Sequence, residues 1–183
     1  MILEIVKYPA PVLRAKGKPV KQVTGEIREL AQNMIETMSH ANGVGLAAQQ
    51  VGHAIQLTVL DVAGVEDRPS TMRIGGELVK LEKWMPLVLL NPKLELGELR
   101  EKGTEGCLSF PEINSDIERA ASVKVKATRL DGGEIAFEAT GLLARALQHE
   151  TDHLHGILFI DRMNSAAKAG IAGKLKRLQK EHS

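Results

Sequence analysis

The chain has 183 residues, 43% of them hydrophobic and 26% charged, with 24 Lys and Arg against 23 Asp and Glu for a formal net charge of +1. That is the balance of a globular protein rather than a disordered one, and at roughly 150 residues per domain it predicts one domain over 1–183. Near-zero charge and 3% aromatic content argue against a DNA-binding field or a base-stacking surface, and no apolar run longer than Met85 to Leu90 offers a membrane span.

In chain order, Tyr8-Pro9-Ala10-Pro11 marks an extended, turn-rich beginning. Ile27, Leu30, Ala31, Met34, Ile35 and Met38 recur at helical spacing behind Thr24, which predicts a helix to about His40 that stops at Ala41-Asn42-Gly43. The following Gly43-Val44-Gly45-Leu46-Ala47-Ala48-Gln49-Gln50 is too poor in glycine for a dinucleotide fingerprint. Small residues followed by glutamines instead suit a backbone packed close to a substrate, with an amide aimed at a carbonyl. Ile55 to Val62 and Leu87 to Leu90 read as buried strands, and 64–82 as a polar connection of undefined form. Val123, Val125 and Ala127 alternate with polar residues, Asp131-Gly132-Gly133 supplies a turn, and Ile135, Phe137 and Ala139 alternate on the return. This predicts a β-hairpin. A second helix runs from Thr140 or Gly141 to about Leu154 with Gly156 as its stop, and a basic helix occupies 165–183. The class is α+β, with mainly antiparallel β-sheets packed around a central helix and a C-terminal helix.

The chemistry concentrates on that central helix. Residues 148–156 read Gln-His-Glu-Thr-Asp-His-Leu-His-Gly, so His149 and His153 sit at i and i+4, about 40° apart on one face and one turn on. They can bind one metal ion together. Glu150 points about 100° away from His149, so it is set to handle the proton of a water rather than to be a third ligand. Leu142, Ala146, His149 and His153 form one stripe, and Leu143, Leu147, Glu150 and Leu154 its neighbour. A carboxylate among leucines should have a raised pKa. Arg145, Gln148 and Asp152 are assigned to the solvent side or to a supporting shell.

A catalytic site needs a third protein ligand and an open position. The lone cysteine, Cys107 in Glu105-Gly106-Cys107-Leu108-Ser109, is either a small buried hydrophobe or that ligand, and beside the helix motif the ligand reading is favoured. A structural metal site would instead need a fourth ligand, with His155 and Glu105 as candidates. A metalloprotease would draw its third ligand from a downstream His or Glu. His40, His53 and His182 have no partner pattern and are expected to be structural or solvent-exposed. A single cysteine forms no intramolecular disulfide, which suits a reducing cytoplasm.

Taken together in this order, the segments 43–50, 105–109 and 148–153 resemble the peptide deformylase family, as does Tyr8-Pro9 followed by Val12-Leu13-Arg14. The resemblance implies removal of the formyl group from the N-terminal methionine of nascent polypeptides, releasing formate. It implies one divalent metal held by Cys107, His149 and His153, with Fe(II) physiological and Zn, Ni or Co able to replace it. Gln50 and the Leu108 N–H would bind the formyl oxygen, Glu150 would act as acid and base, and Val44 and Gly45 would help place substrate backbone. Related enzymes carry a C-terminal helix that engages the ribosome. Here Lys168, Lys174, Lys176, Arg177 and Lys180 face only Glu181 as an acid within 165–183; composition alone favours a solvated helix docked weakly on the domain, and the resemblance sets ribosome contact beside it as an equal expectation. Phe110 and Asn42 and Asn114 depart from the family's usual residue types, which bears on preferences beyond methionine.

Overall fold

The computed structural model describes residues 1–182, and among them are nine strands and three α-helices. Helix α1 (Gly25–His40) starts as its sequence predicts: Thr24 Oγ1 accepts the Ile27 N–H at 3.3 Å, satisfying one of the N–H groups a helix start leaves free. It buries Ala31, Met34 and Met38 in a cluster with Leu46, Leu57, Val59 and Leu90. It ends at His40 as expected, although not with the glycine in the left-handed position. Asn42, not Gly43, takes the left-handed conformation, with φ 56°, which a short amide side chain tolerates. Gly43 is needed for closeness instead, since a Cβ there would lie 2.8 Å from Leu108 Cδ1.

Seven strands form one sheet: β1 (Gly45–Ala47), β2 (Leu57–Leu60), β3 (Ser70–Ile74), β4 (Glu77–Leu78), β5 (Leu87–Leu96), β8 (Ser122–Thr128) and β9 (Glu134–Thr140). Their order is β1-β2-β5-β8-β9-β3-β4, and every pairing is antiparallel. The predicted hairpin is β8–β9, with Val125 opposite Phe137. The connection 64–82 is more ordered than its composition suggests. It holds the β3–β4 hairpin, turning on Gly75 and Gly76 with φ 60° and 81°, the double left-handed turn that matches strand twist. A separate ribbon pairs β6 (Arg100–Cys107) with β7 (Phe110–Ala120), and sequence patterning did not announce it.

Helix α2 (Gly141–Leu154) follows β9 directly and is enclosed on all sides. Leu142, Leu143, Ala146 and Leu147 pack on Leu60, Met72, Leu89, Val125 and Phe137 of the large sheet. The opposite face meets the ribbon, so Arg145 and Gln148, expected toward solvent or a supporting shell, are only 7% and 6% exposed. The helix stops at Gly156, whose φ of 75° and close approach to the Arg14 carbonyl admit no side chain. Helix α3 (Ser165–His182) buries Ile171 and Leu178 in a cluster with Phe110, Ile113, Ile117 and Phe159, and its five basic residues stay exposed. None of the described helices is long and apolar enough to cross a membrane.

Candidate active site

Two elements converge at the ribbon's closed end. β6 finishes at Cys107, and α2 runs beneath it with His149 and His153 turned toward the thiol. Cys107 Sγ lies 3.4 Å from His153 Nε2. One donor atom from each of Cys107, His149 and His153 falls within 4.8 Å of the others. Glu150 lies beside this cluster, its Oε1 3.9 Å from His149 Nε2. It is 4% exposed, and its Oε2 has no hydrogen-bond partner among the described residues.

β1 forms the facing wall. A Cβ at Gly45 would lie 2.8 Å from Glu150 Cγ and 3.0 Å from its Oε1, so the glycine makes room for the carboxylate. Gln50 is held at both ends of its amide: Oε1 accepts the Ala47 N–H at 2.9 Å, and Nε2 donates to Ser109 Oγ at 3.1 Å and stands 3.5 Å from Cys107 Sγ. The Leu108 N–H, just past the end of β6, has no partner among the described residues and is half-buried at the same place. A cavity of about 410 Å³ opens in front of these groups, with Val44, Leu142 and Ala146 among its apolar lining.

The other sequence candidates sit elsewhere. His40, His53, His155 and His182 are exposed, and His155 Nδ1 is bonded to the Thr151 carbonyl at 2.9 Å. Glu105 is committed in another way. Its Oε1 meets His149 Nδ1 at 2.9 Å and Arg119 Nη2 at 2.9 Å, while Oε2 accepts from Arg119 Nε at 2.9 Å and Arg145 Nη1 at 2.8 Å. Arg119 continues to Asp152 Oδ2 at 2.7 Å, which also receives Arg162. Neither candidate for a fourth ligand faces the cluster.

A family model described as polypeptide deformylase matches residues 2–169. A peptide deformylase of Methylacidiphilum infernorum is 45% identical over 180 residues, covering 98% of this chain and 94% of the relative. The chain belongs to the peptide deformylase family. It is therefore an enzyme, and its reaction is hydrolytic removal of an N-terminal formyl group from a polypeptide. A deformylase of Thermodesulfovibrio yellowstonii is 42% identical, covering 96% of this chain and 97% of its own. The crystal structure of peptide deformylase from Ehrlichia chaffeensis superposes with a TM-score of 0.85 at 32% identity, covering 99% of this chain and 97% of that one.

Deformylases use a divalent metal, and the donor set here suits one. Thiolate and imidazole are ligands of divalent transition metals. Burial works against a charged His149, but the nearby Cys107 thiol and its hydrogen bond to Glu105 outweigh it and hold the imidazole well above its ordinary pKa. Glu105 fixes His149 through Nδ1, which leaves Nε2 to face the cluster, the arrangement that orients ligating histidines in metal sites. Burial also acts on Glu105, but Arg119 and His149 outweigh it and keep its carboxyl well below the usual range, so it remains an anion. Burial, then His149 and Arg119, keep His153 well below its ordinary pKa and therefore neutral. Burial likewise pushes Glu150 up to about 7, where a carboxyl can both take and give a proton near neutrality.

Sequence reasoning missed the reach of the Glu105, Arg119, Arg145 and Asp152 network. Its members lie on β6, β7 and α2, and no local spacing links them. The one signal in the sequence was that Glu105, Arg145 and Asp152 stand within four positions of metal-ligand candidates.

Proposed function

We propose that Cys107, His149 and His153 hold one divalent ion, Fe(II) in the cell with Zn, Ni or Co as substitutes, and that Glu150, Gln50 and the Leu108 N–H act on formyl-methionyl nascent chains in the cytoplasm. The observation that carries this reading is a buried carboxyl with an unpartnered oxygen beside a three-donor cluster, where both candidate fourth ligands are turned away. A closed structural site would have no use for that carboxyl.

When bound, the ion supplies Lewis acidity, which polarises the formyl oxygen and makes a water acidic near neutral pH. Glu150 takes the proton of the attacking water as its oxygen bonds to the formyl carbon. Charge then develops on the formyl oxygen. The Leu108 N–H and Gln50 Nε2, whose two hydrogens reach Ser109 Oγ and Cys107 Sγ, are donors fixed in advance beside that charge. Glu150 next passes its proton to the nitrogen, the carbon–nitrogen bond breaks, and formate and a free amino terminus leave.

Substrate backbone finds its place on β1, an edge strand of the large sheet. The Val44 carbonyl accepts the Asp61 N–H at 2.9 Å on the inner side. Alternation along an antiparallel strand turns the Gly45 N–H and C=O outward into the cavity, where an extended peptide can pair with them. The unbranched methionine side chain then enters the apolar part lined by Val44, Leu142 and Ala146.

Elemental analysis of protein purified without oxygen should find about one iron per chain, and none in His149→Ala. Metal retained in full by His149→Ala would overturn the ligand set, and zinc alone in the wild type would overturn the iron assignment. The exposed basic face of α3 supports contact with ribosomal RNA, an electrostatic association that weakens as salt rises. A chain ending at Met163 should co-sediment less with ribosomes at low salt, and equal co-sedimentation would remove this role.

A further inference from the structure

Arg68 belongs to the connection 61–69 between β2 and β3, and it lines the same cavity as Cys107, His149 and Glu150. Its segment is tied to the start of α2. The Pro69 carbonyl accepts the Leu142 N–H at 3.2 Å, Ser70 Oγ accepts the Leu143 N–H at 2.9 Å, and Gly141 comes so close that a Cβ would lie 2.0 Å from the Pro69 oxygen. The position of Arg68 is thus set by the helix that carries the metal-ligand candidates.

The side chain is half-buried, yet its guanidinium has no hydrogen-bond or ion-pair partner among the described residues. The other arginine of the cavity wall differs. Arg145 donates to Glu105, to the Ile117 carbonyl at 2.7 Å and to the Glu101 carbonyl at 2.8 Å. A planar fork of five donors left unused in a substrate cavity is suited to a carboxylate. The neighbouring helix start adds to the positive potential, since the first turn of α2 holds no acidic residue.

The geometry points to Arg68 as a specificity residue that favours an acidic side chain at the third residue of the substrate chain. This rests on the reading that the peptide lies extended along β1. In an extended strand the first and third side chains share a face, about 7 Å apart. The first is methionine, directed at Leu142, and Arg68 is the residue before the proline bonded to the Leu142 N–H. The second side chain points to the other face. Two other carboxylates of the wall do not compete for Arg68: Glu105 is already paired, and Glu112 is exposed at the rim.

The test compares kcat/KM for formyl-Met-Ala-Xaa-Ser amides with Xaa as Asp, Ala or Lys, and for the same set with Xaa at the second position. The wild type should favour Asp over Lys at the third position by about fivefold, as a partly screened ion pair gives. The difference should lie in KM and shrink in high salt, and there should be little preference at the second position. The Asp-to-Lys ratio is read within each variant, so a general loss of activity cancels. Arg68→Gln should bring it to about one, Arg68→Glu should invert it, and Arg68→Lys should keep its direction. An unchanged ratio in Arg68→Gln, or a wild type without acidic preference at the third position, overturns the assignment. Failure of the wild type to deformylate even the Ala peptide would strike instead at the reaction and its site.

Discussion

Glu150→Ala should lower turnover of a formyl-methionyl peptide by about 10²–10⁴-fold, the range lost when a positioned general acid–base is removed, while the bound metal stays near one ion per chain. The division of labour follows from where the side chains point. His149 and His153 face Cys107, whereas Glu150 sits beside the cluster with one oxygen unpartnered and its pKa pushed up to about 7 by burial. Among the described residues of the cavity, Glu150 is the buried carboxyl with an unpartnered oxygen. Glu105 is held as an anion by Arg119 and His149, and the thiol is assigned to the metal. Kinetics and elemental analysis on the same preparation decide the point. If Glu150→Ala lost its metal as fully as His149→Ala, the carboxyl would be a ligand and the mechanism above would be wrong.

Gly45→Ala should lower kcat by about a hundredfold, because a displacement of about 1 Å in a reacting group is enough for that. The added methyl meets Glu150 at 2.8 Å from Cγ and 3.0 Å from Cδ. Gly45 is not among the glycines with positive φ, so alanine suits the backbone there. Its N–H and C=O, which the substrate would pair with, are retained. The loss should therefore come from Glu150 being pushed out of line, with metal content kept and thermal unfolding little changed. A variant with wild-type kcat would show that the carboxyl position is not set by β1.

The two histidines and Glu150 were legible because a helix converts sequence spacing into geometry: i and i+4 share a face, and the residue after the first ligand is rotated off it. The β8–β9 hairpin was legible for a similar reason, since Val123, Val125 and Ala127 are buried while Lys124 and Lys126 are exposed. The β6–β7 ribbon was hidden because β6 buries only Glu105 fully among eight residues, so it carries no alternation of apolar and polar residues. Arg145 and Gln148 look like solvent-facing residues on a helical wheel. They are buried because the ribbon supplies their partners, Glu105 and the backbone of Ala120, from 28 or more positions away. Glu105, weighed as a possible fourth ligand, is instead bonded to His149 Nδ1, Arg119 and Arg145. Its residue type and its proximity to Cys107 were visible in the sequence; the direction of its carboxylate depends on packing between elements.

Formate release tests the central claim most directly. Purified enzyme is mixed with formyl-Met-Ala-Ser and with unblocked Met-Ala-Ser, and formate, new amino termini and free methionine are all quantified. The account predicts one formate and one new amino terminus per formylated peptide, no free methionine, and an unblocked peptide left intact. Free methionine from the unblocked peptide without formate from the blocked one would contradict it and make the His149, Glu150 and His153 cluster that of an aminopeptidase.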